Sequence, residues 1–161
     1  GGTTANVQDP SSPVKLVPVT AANFRAVIKL ELEPDQRSFV ATNVYSIAQS
    51  KVEPWWETFA VEAGGELVGF VMFGLDPEDS VHWICRLMID QRFQRRGFGR
   101  AVMQQVLADL DSRNGCDEIR ISFAPENHNA RALYESLGFE DPNLMVDGEV
   151  VLVRPSPSRD R

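Results

Sequence analysis

The spacing of hydrophobic residues near the start of the chain changes from the two-residue period of a strand to the longer period of a helix. Residues 14–19 alternate and predict a first strand. A helix is predicted next, between Thr20 as a suitable N-cap and Pro34, which cannot continue a helix. Asn43 is predicted to cap a second, short helix that extends through residue 48.

The middle of the chain is typical of β-structure. Residues 59–63 and 67–75 are rich in apolar residues and flank the pair Gly64-Gly65, so they predict a β-hairpin. Residues 83–89 form a nearly continuous apolar run that only Arg86 interrupts. Such a run predicts the fourth strand of the chain.

Helices and strands are predicted to alternate in the second half. An amphipathic helix follows Gly97 and stops at Asn114-Gly115. A strand over 118–123, a helix over 129–137 and a strand over 150–153 complete the series. The order β-α-α-β-β-β-α-β-α-β predicts one mixed α/β (α+β) domain without repeats.

The two ends of the chain are predicted to be tails. Residues 1–13 are small and polar and are expected to be flexible, and residues 155–161 form a second tail, which leaves a domain over 14–154. No apolar run is long enough to cross a bilayer, and the first residues lack the pattern of a signal peptide. We therefore expect a cytoplasmic protein without a membrane partner.

The cysteines and histidines predict no metal site. Cys85 and Cys116 lie in apolar runs and are expected to be reduced core thiols. The only histidines are His82 and His128, and no Cys/His cluster has the spacing of metal ligands.

Charge is distributed unevenly. The net charge of −7 disfavours nucleic acid as a partner. Residues 31–79 contain ten acidic and two basic residues, whereas residues 86–100 contain five arginines and one acidic residue. The acidic stretch is suited to a cation and the basic stretch to a polyanion, although both patterns are also typical of solvated surface.

The segment from Gln94 to Arg100 has the chemistry of a phosphate-binding turn. It precedes a helix, whose first N–H groups are unpaired and lie at the positive end of its dipole. Glycines let that backbone approach a ligand, and arginines add charge-assisted contacts. A P-loop would require Gly-Lys-Ser/Thr, and a dinucleotide fingerprint would require a third glycine where Val102 stands.

Two motifs resemble one family. Gln94-x-x-Gly97-x-Gly99 resembles the Q/R-x-x-G-x-G/A signature of the GNAT acetyltransferases, and residues 127–139 resemble that family's N-x-x-A-x-x-L-Y-x-x-x-G-F block. The element order is similar too, so the resemblance covers about residues 14–153. It implies a GNAT-type mixed central sheet flanked by helices, with acetyl-CoA as co-substrate and no metal.

The resemblance implies how acetyl-CoA is bound. The turn would bind the pyrophosphate, and the strand before it would pair with the pantetheine arm. Asn127 is suited either to the pantetheine amides or to capping its helix, and Ala130 leaves room for a thin ligand arm. The residues expected to contact acetyl-CoA are Leu87, Met88, Ile89, Gln94, Arg95, Arg96, Gly97, Phe98, Gly99, Arg100, Asn127, Ala130 and Tyr134.

Tyr134 and Glu31 are the predicted catalytic residues. In the resembling family a tyrosine at the position of Tyr134 protonates the thiolate that leaves when an amine attacks the thioester directly. The amine must first lose a proton. Some members carry a glutamate on the fourth strand, but residues 83–86 contain no carboxylate. Glu31 is therefore favoured as the base, because the loop between the first two helices usually walls the acceptor site in this family. The alternatives are a water chain or another acid, namely Glu33, Asp35, Glu53 or Glu57.

The acceptor is expected to be a small cationic amine. Residues 43–48 resemble a diamine or spermidine acetyltransferase subgroup, which implies that Glu31, Asn43 and Tyr45 bind the substrate. Acidic groups would attract a polyamine, and aromatic rings would add cation–π contacts. An amino acid, an aminoglycoside-like drug and a protein N-terminus remain alternatives, as does a non-catalytic acyl-CoA sensor. A homodimer is expected by analogy with the family.

Overall fold

The computed structural model describes residues 9–157, which form a seven-stranded sheet with the order β1-β2-β3-β4-β5-β7-β6. Neighbouring strands are antiparallel except β4 and β5, which are parallel, so the sheet is mixed as predicted. The strands are β1 Lys15–Pro18, β2 Trp56–Ala63, β3 Glu66–Asp76, β4 Val81–Ile89, β5 Glu118–Phe123, β6 Glu140–Val146 and β7 Glu149–Pro155.

Helices cover both faces of the sheet. The helices are α1 Phe24–Ile28, α2 Asn43–Val52, α3 Phe98–Asp111 and α4 His128–Ser136, with 3-10 helices at Pro34–Phe39 and Gln91–Phe93. Side chains of β3 alternate between the faces: Val71 and Phe73 pack in the core with α3 and α4, whereas Phe70 and Met72 pack in a second core with α1. The helical layers therefore lie on opposite sides of one sheet.

The first two helices differ from their predicted bounds. The predicted helix up to Pro34 ends at Ile28, and the chain then bonds to the loop after β4: the Glu31 amide donates to Asp90 and the Glu31 carbonyl accepts from the Gln91 amide. The N-cap of α2 is not Asn43 but Thr42, whose hydroxyl accepts a hydrogen bond from the Tyr45 amide.

Strand β6 has no counterpart among the strands predicted from the sequence. Its side chains are all exposed, so it has no buried face to produce an alternating pattern. Val146 pairs with Glu149, which leaves Asp147-Gly148 as a two-residue turn with positive φ at both positions, 51° and 79°. That geometry is a type I′ turn, for which Asp-Gly is a favoured sequence.

The C-terminal boundary predicted at residue 154 is wrong. Pro155 still pairs with Glu118, and Ser156 is fully buried, with its hydroxyl donating to Asp111 at 2.6 Å. At the other end, Ser12 accepts a hydrogen bond from Gln105 in α3 at 2.8 Å. Residues 1–8 and 158–161 of the two predicted tails lie outside the described residues.

Strands β4 and β5 pair only at one end and diverge at the other, which leaves an opening in the sheet. Residues 82–84 of β4 pair with residues 119–121 of β5, after which no further pairs form. The register between β3 and β4 also shifts at this point, because Phe73 pairs with Ile84 and Met72 with Arg86. A bulge at Cys85 thus coincides with the divergence of the two parallel strands. Among residues 9–157, no helix is both long and apolar enough to span a bilayer.

Candidate active site

A cleft of about 460 Å³ lies beside the end of β4, between the N-terminus of α3 and the helix α4. Most of the residues predicted to contact acetyl-CoA line it. Those residues are Leu87, Met88, Ile89, Gln94, Arg95, Gly97, Phe98, Gly99, Asn127, Ala130 and Tyr134. Two predicted residues, Arg96 and Arg100, are exposed and outside this lining.

The turn before α3 is held by side-chain contacts to the strand it follows. The Gln94 amide group donates to the Ile89 carbonyl and to the Gln36 side chain, both at 3.0 Å. Arg95 and Gly97 have positive φ values of 65° and 82°. Alternating left-handed residues of this kind turn successive N–H groups toward one side, which suits an anion.

The N-terminus of α3 has no side-chain cap. Its N-cap is Gly97, so the first N–H groups of the helix are open toward the cleft. At Gly99 a Cβ atom would meet only Leu133 and Ile89, at 3.8 and 4.0 Å, which are ordinary contacts. The missing side chain at this position therefore keeps the cleft open and is not required by packing.

The arginines near the turn have different surroundings. Arg92 forms an ion pair with Asp90 at 2.9 Å, and Arg96 lies over the Phe93 ring. Burial raises the pKa of Asp90, but hydrogen bonds from Arg92 and from the Glu31 amide outweigh it and lower that pKa. Asp90 thereby joins the end of β4 to the loop after α1, and Arg95 is the arginine that lines the cleft.

Helix α4 presents Asn127 and Tyr134 to the cleft. Asn127 is the N-cap, and its side-chain oxygen accepts from the Ala130 amide at 3.2 Å. The Tyr134 ring packs between Phe123 and Phe139, and the residue is only 7% exposed. Burial, and secondly the charge of Glu149, raise the pKa of the Tyr134 phenol, so it stays protonated at neutral pH.

A second cavity, of about 270 Å³, adjoins the cleft on the side of α1 and α2. Glu31 and Asn43, two of the residues predicted to bind the acceptor, line it. Glu31 is largely exposed and pairs with Arg37 at 3.4 Å, whereas the buried Asn43 amide donates to the Val27 carbonyl at 2.9 Å. Tyr45 is 60% exposed and does not line this cavity.

A third cavity, of about 240 Å³, opens where β4 and β5 diverge. It shares Tyr134 and Asn127 with the cleft, and it contains Ser122 and Glu149, which sequence reasoning missed. Glu149 follows the Asp147-Gly148 turn directly, so that dipeptide was the available signal for a hairpin at this point.

The other acids proposed as bases have different positions. Glu57 forms an ion pair with Arg113 at 2.7 Å, and Glu53 accepts a hydrogen bond from the Trp56 indole. Glu33 and Asp35 are exposed and line none of the three cavities.

Cys85 is a poor nucleophile in this fold. Its thiol is free, and burial raises its pKa to about 11 although the adjacent Arg86 charge opposes this. The thiolate needed for covalent catalysis is therefore scarce at neutral pH. Among residues 9–157, no group of three or more His, Cys, Asp or Glu side chains is placed to hold a metal ion.

Comparison with known proteins identifies the family. This chain belongs to the acetyltransferase (GNAT) family, whose sequence model matches residues 24–139. It is therefore an acyl-CoA-dependent N-acetyltransferase. The cleft beside β4 and α3 offers groups suited to acetyl-CoA, namely unpaired N–H donors of the helix, the arginine Arg95, and Gly99, which packing alone does not require.

The chain is similar to enzymes with two kinds of acceptor. It is 28% identical over 148 residues to the spermine/spermidine N(1)-acetyltransferase of Bacillus subtilis, covering 88% of this chain and 97% of the relative. It is also 28% identical over 103 residues to the [ribosomal protein bS18]-alanine N-acetyltransferase of Escherichia coli, covering 56% and 68%.

A solved structure supports the fold. Spermidine N-acetyltransferase from Vibrio cholerae, in complex with CoA and spermine, superposes with a TM-score of 0.70 at 17% identity, covering 89% of this chain and 96% of that one.

Proposed function

We propose that this enzyme acetylates a primary amine of a polyamine or diamine, by direct attack on acetyl-CoA in a ternary complex. The carrying observation is that Leu32, Val40 and Met88 line both the cleft and the second cavity. An amine that enters the second cavity therefore lies beside the end of the cleft where the thioester would sit.

Binding of acetyl-CoA is assigned to groups of the cleft. The N-terminus of α3 and the turn with Arg95 and Gly97 would hold the pyrophosphate, since open N–H groups and one guanidinium converge there. The backbone of residues 87–89 and the small Ala130 would border the pantetheine arm. The side-chain oxygen of Asn127 caps α4, so its side-chain nitrogen could donate to the carbonyl groups of the pantetheine arm.

A polyamine suits the second cavity better than a neutral acceptor. Glu31 supplies a carboxylate at its edge, and the remainder of the lining is largely apolar, as the methylene segments of a polyamine require. Arg37 beside Glu31 reduces the local negative charge, so the site would hold one ammonium group rather than several. The similarity to a spermine/spermidine enzyme over 97% of its length supports the same acceptor.

Tyr134 would serve as the general acid. When the amine attacks the thioester carbonyl and the C–S bond breaks, the sulfur leaves as a thiolate and needs a proton. The phenol lines the cleft and makes no hydrogen bond to another side chain in residues 9–157. Its raised pKa keeps the proton available until the thiolate forms.

A protein N-terminus is the second candidate acceptor. The Escherichia coli bS18-alanine acetyltransferase matches this chain at 28% identity, although only over 68% of its length. The reaction at the thioester would be the same, and only the acceptor would differ. The proposal also includes a cytoplasmic location, which the two free cysteines support, and a homodimer by family analogy, which light scattering would test.

The experiment is CoA thiol release by the purified protein with spermidine, putrescine, an aminoglycoside, free amino acids and an Ala-starting peptide. The proposal expects the highest kcat/KM with spermidine or putrescine. A higher kcat/KM with the peptide would indicate that the natural acceptor is a protein N-terminus. Thermal stabilisation by acetyl-CoA without release for any acceptor would indicate a binding protein.

A further inference from the structure

The third cavity brings a carboxylate to the catalytic tyrosine although β4 itself has none. Tyr134, Ser122 and Glu149 line this cavity together, and Tyr134 also lines the acetyl-CoA cleft. Val40 lines the cleft and both smaller cavities, so all three meet at this residue. The cavity that Glu149 lines therefore borders the part of the cleft where an amine would meet the thioester.

Glu149 is held in place from two directions. Glu149 is the first residue of β7 and directly follows the I′ turn at Asp147-Gly148. The Ser122 hydroxyl, in the neighbouring strand β5, donates a hydrogen bond to Glu149 Oε1 at 3.1 Å. The residue is half-buried and forms no ion pair with another described residue. Its second carboxylate oxygen is therefore available to a ligand in the cavity.

Three other groups that face the third cavity do not neutralise Glu149. On β4, Arg86 donates to the Gln49 side chain at 3.1 Å and to the Cys85 carbonyl, and it makes no contact with a carboxylate. On α4, Tyr134 is uncharged, and the Glu149 charge contributes, after burial, to raising its pKa. The Cys85 thiol, whose pKa burial also raises, is uncharged as well.

We propose that Glu149 is the group that takes the proton from the acceptor ammonium before attack. This inference rests on the proposed function and replaces Glu31 in the role of base. Glu31 is largely exposed, is paired with Arg37 and does not line the third cavity, whereas Glu149 shares that cavity with the general acid. Glu31 keeps a role in holding the substrate at the second cavity.

The proton transfers balance as follows. Glu149 takes one proton from R–NH₃⁺, and the resulting R–NH₂ forms a C–N bond to the acetyl carbonyl carbon. The C–S bond breaks, and the departing thiolate takes the phenol proton of Tyr134. The surplus proton on the new amide nitrogen returns to the tyrosinate, and Glu149 releases its proton to water. The products are the acetylamide, CoA thiol and one proton.

The transfer from an ammonium to a carboxylate is uphill, but it is fast enough. The ordinary pKa values of the two kinds of group differ so that the equilibrium is unfavourable by about 10⁶-fold. With a barrier-free frequency of about 6 × 10¹² per second, such a state is still reached about 6 × 10⁶ times per second. Typical turnover is about 1–10³ per second, so the proton transfer itself is faster than turnover, and the attack proceeds from this small population of neutral amine.

Glu149→Gln tests the inference with two acceptors that differ in basicity. Spermidine is an ammonium at the assay pH, whereas trifluoroethylamine is already a neutral primary amine. We expect Glu149→Gln to lower kcat with spermidine by about 10²-fold or more, with little change in the kinetics of trifluoroethylamine or in the KM for acetyl-CoA. Glu140→Gln removes an exposed carboxylate of the same hairpin and should match the wild type.

Three results with Glu149→Gln would overturn the inference. Wild-type kcat in Glu149→Gln with spermidine, equal losses with both acceptors, or a change in KM alone would each exclude Glu149 as the base. If Glu31→Gln instead shows the loss that depends on acceptor basicity, Glu31 is the base. Absence of wild-type turnover with every amine would overturn the proposed function and, with it, this inference.

Discussion

The environment of Tyr134 favours the neutral phenol. The side chain is almost completely buried between two aromatic rings, and Glu149 is the charge that influences it most. Both effects disfavour a phenolate and raise the pKa. In the proposed role of general acid, such a phenol would not ionise early, and its proton would pass to the sulfur only as the C–S bond breaks and negative charge develops there.

Tyr134→Phe should remove this proton without disturbing the fold. The phenylalanine ring keeps the contacts with Phe123 and Phe139, so the melting temperature should change little. We expect kcat to fall by about 10²-fold or more, with the KM for acetyl-CoA unchanged. The wild-type pH–rate profile should also show no falling limb from this phenol up to about pH 10, its ordinary pKa. Wild-type kcat in the variant would contradict the assignment.

His82 has a pKa below its ordinary value, because it is buried and, secondly, lies near the positive Arg113. As the pH falls through about 6.5, the unfolded chain binds a proton that the native histidine resists, so stability should decrease. The melting temperature should therefore fall between about pH 7.5 and pH 5.5. His82→Gln should flatten this pH dependence of the melting temperature, whereas the exposed His128→Gln should leave it unchanged. A wild-type pH dependence in His82→Gln would show that His82 is not its cause.

At the scale of elements, two glycines at the start of α3 are present for different physical reasons. A Cβ at Gly97 would meet nothing, but the φ of 82° is unfavourable for any other residue. At Gly99 the backbone is helical, and a Cβ has room against Leu133. The first glycine is therefore required by its backbone conformation, whereas we expect the second to be required by the bound ligand.

Two alanine variants should show this difference. Gly97→Ala should destabilise the protein by about 1–2 kcal/mol, from left-handed strain alone. Gly99→Ala should leave the melting temperature unchanged or slightly higher, yet weaken CoA binding about tenfold, because its methyl group enters the cleft. Denaturation and calorimetric titration measure both effects. Equal CoA affinity for Gly99→Ala and wild type would show that the cleft does not bind the ligand here.

Elements with a local signal could be predicted from the sequence, and those that depend on distant pairing could not. The turn before α3 and the cap of α4 are built from consecutive residues, so their positions followed from two short motifs. Strand β6 was missed because it is exposed throughout. Glu149 was missed as a site residue because only the adjacency of β5 and β7 brings it to Ser122 and Tyr134.

At the scale of the whole molecule, a cluster of charged side chains connects the end of α3 to strand β2. Arg113, just after α3, donates to Glu57 in β2 and to Asp109 at 2.7 and 3.0 Å, and it lies near the Phe73 ring. This use explains part of the acidic middle stretch: some of its charges are paired within the fold and are not free to attract a substrate.

Removing Arg113 should therefore be costly. Arg113→Ala leaves Asp109, which is almost fully buried, without its partner. We expect a loss of about 3 kcal/mol in the free energy of unfolding, and Arg131→Ala, which breaks more exposed ion pairs, should cost at most about 1 kcal/mol. Chemical denaturation of both variants is the measurement, and equal losses would show that burial of the cluster contributes nothing.

The central claim, that acetyl transfer occurs directly between two substrates bound in adjoining cavities, is tested by one initial-rate matrix. Acetyl-CoA and spermidine are varied together, and acetylated spermidine is identified by mass. The account predicts double-reciprocal lines that intersect, as a ternary complex requires, and the same pattern in Cys85→Ala. Parallel lines that depend on Cys85, or CoA release without acetylated spermidine, would contradict it.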